Sequence, residues 1–168
     1  MIHKGRYTAA IDGDFVVLLI GMKINRLWKP HKWLPVALAM PRMLRRLDAD
    51  PEAGLMAWRA AWIGGPAYVQ YWRSFEDLDR FARAADEPHL PAWKHFNRAV
   101  RASGEVGIWH ETFKVGAGEW ECVYANMPRV GLAAAGDHVA VGSTSQTAAR
   151  RIGSDPVAEP AVTPYENP

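Results

Sequence analysis

The chain has 168 residues, 49% of them hydrophobic and 23% charged, so it is long enough for one folded core and too apolar to be wholly disordered. Its 20 basic and 18 acidic residues nearly balance, which excludes the dense positive surface typical of nucleic-acid binders. Cys122 is the single cysteine and cannot form an intrachain disulfide. We find neither a secretion signal nor an apolar run of about 20 residues, so we expect a cytoplasmic protein without nucleic-acid or membrane partners.

The first half of the chain predicts a strand followed by a helix. After a turn at residues 12–14, residues 15–24 are apolar and rich in β-branched side chains, which is typical of a strand. Both its odd and its even positions are apolar, so both faces of its sheet should be covered. Residues 31–48 then carry apolar side chains at spacings of three and four, which predicts an amphipathic helix that Pro41 should kink or interrupt.

The middle of the chain predicts a hairpin, a helix and a second hairpin. Residues 55–63 and 67–73 flank a Gly-Gly-Pro turn, and Ser74 is a good N-cap for the helix that follows. That helix should break near Pro88 and Pro91 and resume until Gly104. Residues 106–115 and 120–126 then predict a hairpin around the glycines at 116 and 118.

This order of elements predicts an α+β domain with a ferredoxin-like antiparallel sheet and two helices on one face. A second copy of the chain would cover the other face, which gives a homodimer of the dimeric α+β barrel type. We place this domain at residues 1–142. Residues 143–168 are polar and lack apolar periodicity, so we expect a disordered C-terminal tail whose deletion after about Gly142 leaves folding unchanged.

Eight tryptophans indicate either a large aromatic-lined cavity or a large interface, because a buried indole needs a partner for its ring nitrogen. Trp58, Trp62 and Trp72 alternate with their neighbours on the first hairpin, and Trp93 follows on the second helix. We assign all four to a substrate pocket. The alternative for such a stripe is ordinary core packing.

Several stretches resemble known families. Residues 71–78 (YWRSFEDL), with Phe81 and His89 after them, are similar to the strand-to-helix region of antibiotic-biosynthesis monooxygenases. A closer resemblance, over about residues 5–136, is to a family of small monooxygenase-like proteins named after a member of a fungal fumagillin-type gene cluster. The stretches that carry it are 11–15 (IDGDF), 28–33 (WKPHKW), 107–112 (GIWHET) and 126–128 (NMP).

The resemblance implies a dimeric α+β barrel with an apolar or aromatic small molecule held between sheet and helices. Cofactor-independent monooxygenases of this type bind a substrate that reacts with O2 once it has lost a proton. The protein then supplies a base, a polar group for the developing oxyanion and a dry cavity. Related barrels carry haem, so the resemblance also permits a haem enzyme, either aldoxime dehydratase-like or haem-degrading-like.

His110 is the first candidate base. On an extended strand its side chain shares a face with Ile108 and Thr112, whereas Trp109 and Glu111 point to the other face. His110 and Glu111 therefore cannot act as a pair. The alternative is a histidine in the core or at the dimer interface.

Two further residues are candidates for the catalytic site. By resemblance, His89 falls near the pocket-facing helical histidine of barrel monooxygenases and haem-degrading proteins, as a base or an axial ligand. The alternative for His89 is a surface position at a helix end. Asn126 is placed to orient a substrate oxygen, although an Asn before Met-Pro is equally a turn residue.

Other chemistries have no motif here. The histidines are scattered without metal-ligand spacing, and neither a dinucleotide nor a P-loop glycine motif occurs, so we expect no metal and no nucleotide cofactor. We therefore predict a small oxidoreductase, a cofactor-independent monooxygenase acting on an apolar or aromatic small molecule. The alternatives are a haem protein that uses His89 or His110 as ligand, and a non-catalytic binding module.

Overall fold

The computed structural model describes residues 1–84, 94, 96–97, 103–165 and 167–168. The strands are β1 (His3–Ala10), β2 (Phe15–Ile24), β3 (Leu55–Trp62), β4 (Pro66–Trp72), β5 (Val106–Val115), β6 (Tyr124–Met127) and β7 (Asp137–Ala140). The helices are α1 (Pro30–Asp48), α2 (Phe75–Arg83), α3 (Leu132–Ala135) and α4 (Ala148–Arg151), with 3-10 turns at Pro51–Ala53 and Ser143–Ser145. They fall into two compact units: a central unit, Val16–Phe113, and a terminal unit, Met1–Phe15 with Lys114–Pro168.

The central unit contains a four-stranded sheet with the strand order β3-β4-β2-β5. Strand β4 lies between β2 and β3 and is antiparallel to both. The chain passes through β2, α1, β3, β4, α2 and β5 in turn, which is the split β-α-β connectivity of the ferredoxin-like fold. The predicted α+β, ferredoxin-like fold class is confirmed.

One face of this sheet forms the main core with the two helices. Val16 lies opposite Trp72 in the β2–β4 pair, and residues opposite each other in an antiparallel pair share a face. These two side chains pack in one cluster with Leu47 of α1 and Leu78 of α2, and Trp72 has no exposed surface. The helices therefore cover the face that carries Val16 and Trp72.

Helix α1 extends over 19 residues and is helical through both Pro35 and Pro41. Of the two predicted effects of Pro41, the interruption therefore does not occur, and the kink stays a prediction. An interior proline removes one backbone hydrogen bond, but the buried side chains of Met43, Leu44 and Leu47 hold this half of the helix in the core. Among the described residues, no helix is both long enough and apolar enough to span a membrane.

The first predicted hairpin and the predicted helix cap are both confirmed. Strands β3 and β4 pair from Ala57 opposite Tyr71 to Trp62 opposite Pro66. At the turn, Gly64 has a φ of +64°, which favours glycine, and a Cβ on Gly65 would collide with the carbonyl oxygen of Met22. The Ser74 Oγ accepts a hydrogen bond from the backbone N–H of Asp77 at 3.1 Å, as an N-cap should.

The terminal unit departs from the sequence prediction. It contains a three-stranded sheet of order β6-β1-β7, in which β1 is antiparallel to both neighbours. Strand β1, His3–Ala10, lies in a stretch for which the sequence analysis predicts no element. The predicted second hairpin is wrong, because β6 pairs with β1 rather than with β5. Local turn chemistry cannot reveal a partner strand more than 100 residues away in the sequence.

The stretch predicted as a disordered tail contains the turn Ser143–Ser145 and helix α4. Within the terminal unit, the guanidinium of Arg151 binds the Glu121 carboxylate. Asn167 bonds to the backbone of Arg6 through its amide nitrogen, 2.8 Å from the Arg6 oxygen. The structure thus gives residues 143–165 and 167–168 more contacts than their composition predicts. The disorder and the boundary at residue 142 stay predictions.

Candidate active site

A cavity of about 240 Å³ lies inside the central unit, between the sheet and the two helices. From the sheet it is lined by side chains of the helix-covered face: Leu18, Ile20, Gln70, Trp72, His110 and Thr112. From α1 it is lined by Met40, Met43 and Leu47, and from α2 by Phe75, Leu78, Asp79, Phe81 and Ala82. Most of this wall is apolar or aromatic, which suits an apolar ligand with a few polar groups to orient it.

Gln70 is the most deeply buried polar group of the cavity wall, with only 2% of its surface exposed. Its Oε1 accepts a hydrogen bond from the indole nitrogen of Trp72 at 2.9 Å. Its Nε2 donates to the sulfur of Met40 at 3.3 Å, and a thioether is a weak acceptor. These two bonds hold the Gln70 amide in one orientation. A ligand oxygen can replace the Met40 sulfur as the acceptor of the hydrogen bond from Nε2.

His110 also lines the cavity, together with Thr112 two residues later on β5. Strand alternation places Trp109 on the opposite face, where its indole lies over Gly21 of β2. The prediction that His110 and its two neighbours point to opposite faces therefore holds in the strand. The imidazole remains exposed, so it is reached by solvent as well as by the cavity. Its catalytic role stays a prediction.

Gln70 and His110 lie on opposite sides of the cavity floor. Strands β4 and β5 flank β2 in the sheet, so their backbones are separated by two strand spacings, or about 10 Å. The apolar side chains of Leu18 and Ile20 lie on β2 between them. A flat molecule on this floor can place one polar atom at the Gln70 amide while another part reaches the His110 imidazole.

Asp79 is the one carboxylate among the described residues of the cavity wall. Its Oδ1 accepts a hydrogen bond from the Arg83 Nε at 2.8 Å, one turn further along α2. Its charge is therefore compensated within the helix. Asp79 and Arg83 form an ion pair at the rim, whereas Gln70 and His110 offer the polar atoms of the floor.

The tryptophans assigned to the pocket do not all line the cavity. Trp72 lines the cavity. Trp58 and Trp62 lie on β3, an edge strand of the sheet, and do not contribute to the wall. Trp58 instead donates from its indole nitrogen to Asp48 at 2.9 Å, and Trp62 is 77% exposed. Trp93 lies outside the described residues.

The remaining two catalytic candidates are not in the cavity as the structure describes it. His89 lies outside the described residues. Asn126 belongs to the terminal unit, where its Oδ1 accepts a hydrogen bond from the backbone N–H of Gly5 at 3.0 Å. Asn126 also has a φ of +52°, so its local geometry is that of a turn residue. Its role in orienting a substrate stays a prediction.

The described side chains and the cavity volume also indicate whether a metal ion or a haem group could be held. In the described part of the chain, no group of three or more His, Cys, Asp or Glu side chains lies close enough to hold a metal ion. At about 240 Å³ the cavity is smaller than the roughly 300 to 1,000 Å³ of drug-sized ligand pockets. A porphyrin is larger than most such ligands, so the described part of the cavity is too small to enclose one.

Sequence analysis missed Gln70. Its signal was a single amide in a strand otherwise made of apolar and aromatic residues, from Ala67 to Trp72. A buried polar side chain must find hydrogen-bond partners, so such a position marks either a structural bond or a binding group. In the structure Gln70 makes structural hydrogen bonds, and because it faces the cavity it is also available to bind a ligand.

The fold and the cavity define a small ferredoxin-like α+β protein with an apolar internal site. Residues 15–132, which include the whole central unit, match the family model described as Monooxygenase af470-like. The chain is also 33% identical over 149 residues to Monooxygenase af470 of Aspergillus fumigatus, covering 74% of this chain and 52% of that protein. The chain therefore belongs to the Monooxygenase af470-like family. It spans about half the length of this curated relative.

Proposed function

We propose that the chain is a small oxidoreductase, a cofactor-independent monooxygenase that acts on an apolar or aromatic molecule bound in the central cavity. The observation that carries this proposal is the presence of His110 and Gln70 in one mostly apolar cavity. The family description supports a monooxygenase-type reaction. The size of the cavity favours a small substrate.

The proposed reaction needs no outside reductant. A C–H proton of an activated CH2 group moves to the base, and the carbanion forms a C–O bond with O2 to give a hydroperoxide. Loss of water then breaks the O–O bond and leaves a ketone or quinone carbonyl. The substrate supplies all the electrons that O2 accepts. Anthrones carry such a CH2 group. Phenols lose the O–H proton instead; the ring carbon para to the oxygen then forms the C–O bond with O2, and loss of water, which takes the hydrogen of that carbon, leaves a quinone.

In this reaction His110 accepts the proton, and the Gln70 amide donates a hydrogen bond to the substrate oxygen that becomes negative. A general base contributes about 10²- to 10⁴-fold in rate, and an oriented donor to an oxyanion contributes about 10²- to 10³-fold. The side chains of Trp72, Phe75 and Phe81 exclude water around the anion. His110 faces both cavity and solvent, so its proton can leave to bulk water.

Oxygen uptake with a panel of phenols and anthrones tests the proposal. We expect turnover by the unmodified protein and a loss of at least 100-fold in His110→Ala with little change in Tm, because an exposed imidazole makes few packing contacts. Glu111→Ala is the matched control, since Glu111 is the next residue and points to the opposite face. The control should keep full turnover.

Three results would overturn the proposal. Unchanged turnover in His110→Ala would remove His110 as the base. A strong absorption band near 400 nm after adding haemin, a rough expectation for histidine-ligated haem, would favour the haem alternative. Tight binding of the panel compounds without any oxygen uptake would favour a non-catalytic binding module.

A further inference from the structure

The basic residues of this chain are unevenly distributed. Residues 15–47 contain seven of the 20 basic residues and none of the 18 acidic ones. Four of the seven, Lys23, Arg26, Lys29 and Lys32, lie between the end of β2 and the first turn of α1. These four residues place positive charge at one end of the central unit, although the net charge of the whole chain is small.

The same end exposes large apolar side chains. The turn after β2 and the β3–β4 hairpin turn lie side by side, because the Lys23 Nζ donates to the Gly64 carbonyl at 3.1 Å. The exposed fractions are 68% for Leu27, 69% for Trp28, 44% for Leu34, 77% for Trp62 and 48% for Ile63. We call these five residues the apolar tip. Isolated exposed apolar residues are common, but five of this size at one end mark a binding surface.

The tip is held in place by its own contacts. The Trp33 indole nitrogen donates to the Leu27 carbonyl at 3.1 Å, which fixes the turn that carries Leu27 and Trp28. The Arg26 guanidinium lies 5.3 Å from the centre of the Trp28 ring. A cation over an exposed indole keeps charge and apolar surface together rather than allowing the ring to fold back.

The carboxylate that the structure describes near the tip is already paired. Within the described residues, Glu105 is the carboxylate that approaches this end, and it pairs with Lys29. Glu105 is only 8% exposed. Lys23 and Arg26 are exposed beside the tip, and no carboxylate of the described residues forms an ion pair with either of them.

A second copy of the chain is a poor partner for this surface, because a two-fold contact would bring like charges against each other. A nucleic acid would satisfy the cations but would leave the five apolar side chains without a matching apolar surface. An anionic bilayer satisfies both, since indoles favour the headgroup region and lipid phosphates attract Lys and Arg.

We propose that the apolar tip and its flanking cations form a peripheral binding surface for anionic membranes. Trp28 and Trp62 enter the headgroup region, and Lys23 and Arg26 contact lipid phosphates. The expectation of no membrane partner was based on the lack of a spanning segment, and a surface attachment needs none. This proposal is independent of the reaction proposed for the cavity.

Sedimentation of the full chain with two kinds of vesicle tests the proposal. We expect binding to vesicles of phosphatidylcholine with phosphatidylserine, and much weaker binding to phosphatidylcholine alone. Arg26→Ala should lower the partition coefficient about fivefold, and added salt should lower it further. Lys4→Ala also removes an exposed cation, but in the terminal unit; it is the control and should have no effect.

The apolar contribution is tested by the double variant Trp28→Ser with Trp62→Ser. We expect a loss of vesicle binding of at least tenfold without a change in Tm, because both rings are largely exposed. Val162→Ser, also 77% exposed, is the matched control. Equal binding to both vesicle types, or undiminished binding of the double variant, would overturn the proposal. A dimer that the double variant abolishes would identify a second copy as the occupant and would also overturn it.

Discussion

Gln70 connects the stability of the core with the proposed chemistry. Its carbonyl oxygen holds the indole nitrogen of the fully buried Trp72, and its amide nitrogen reaches the sulfur of Met40. Each of these bonds restrains the Gln70 side chain, so the amide is oriented before any ligand binds. Such preorganisation is what makes a buried donor effective toward a developing oxyanion.

We expect Gln70→Leu to lower the free energy of unfolding by about 1 to 3 kcal/mol, because the Trp72 N–H loses its acceptor in a buried place. In the background of Trp72→Phe the same change should cost less, since no indole N–H remains to be satisfied. Urea unfolding of the four proteins measures this coupling. Strictly additive effects would show that the bond between Gln70 and Trp72 does not contribute to stability.

The sequence predicts directions of side chains better than their surroundings. The period of two along β5 correctly separated His110 from Trp109. The same rule places Trp58 on the face of Gln70, its partner in the β3–β4 pair. Yet Trp58 is 37% exposed and lies outside the cavity wall. Alternation reveals the face of a strand, but not whether a helix covers an edge strand.

At the scale of elements, several bonds meet at the start of α2. The Asp77 carboxylate accepts a hydrogen bond from the Arg73 Nε at 2.8 Å and also pairs with Arg80. Gly54 has a φ of +90°, and a side chain there would meet this carboxylate. One buried carboxylate thus connects the end of β4, the turn before β3 and the first turn of α2.

This arrangement predicts that the stability of the fold depends on pH. The hydrogen bond from Arg73 holds the pKa of Asp77 below its ordinary value, against the opposing effect of burial, and the bond from Arg80 adds to the lowering. The folded-state pKa is therefore lower than the unfolded-state pKa of about 3.9. The unfolded chain binds more protons there, so the stabilisation is complete above that value and is lost as the pH falls below it.

We expect the Tm difference between the unmodified chain and Asp77→Asn to be constant from about pH 7 to pH 5 and to shrink below about pH 4. Thermal melts across this range measure it. Glu76→Gln, which removes an exposed acidic charge one residue earlier, is the control. A difference that stays constant down to pH 3 would contradict the assigned role of the ion pair.

The elements themselves were predictable to different degrees. Strand β2, helix α1 and the β3–β4 hairpin follow from local periodicity and turn residues, and their bounds agree with the structure closely. Strand β6 does not, because its partner β1 lies at the other end of the chain. The glycines at 116 and 118 indicate a turn, and there Glu119 accepts a hydrogen bond from the Gly116 N–H. Turn chemistry does not determine which strand the chain joins next.

At the scale of the whole molecule, the sheet face opposite the helices of the central unit remains to be explained. Val17 lies opposite Tyr71 and Leu19 opposite Val69, and all four are only partly buried. Phe113 on β5 is 49% exposed. We propose that a second copy of the chain covers this apolar face and forms the homodimer that the resemblance implies.

We expect light scattering to report a dimer at micromolar concentration, and Phe113→Glu to shift it toward the monomer, because a carboxylate is costly to bury in an apolar interface. Val157→Glu places the same charge at a site that is 74% exposed in the terminal unit, and should leave the dimer intact. Light scattering that reports a monomer for the unmodified chain would contradict the proposal.

The C-terminal stretch offers a second test at this scale. Cutting the chain after Gly142 removes Arg151, whose guanidinium binds Glu121 and also donates to the Ser145 carbonyl at 2.9 Å. We expect the shortened chain to melt a few degrees lower, since Glu121 then loses its partner. An unchanged Tm would instead confirm the disordered tail that the composition predicts.

The contact between Gly21 and Trp109 has a consequence for how reliably the cavity forms. A Cβ at position 21 would lie 2.7 Å from the Trp109 ring, so only a glycine there admits the indole. Slippage of β5 by one residue along β2 would turn Trp109 toward the helices and His110 away from them. Glycine at position 21 therefore favours the register in which Trp109 lies on the face opposite the helices and His110 lines the cavity.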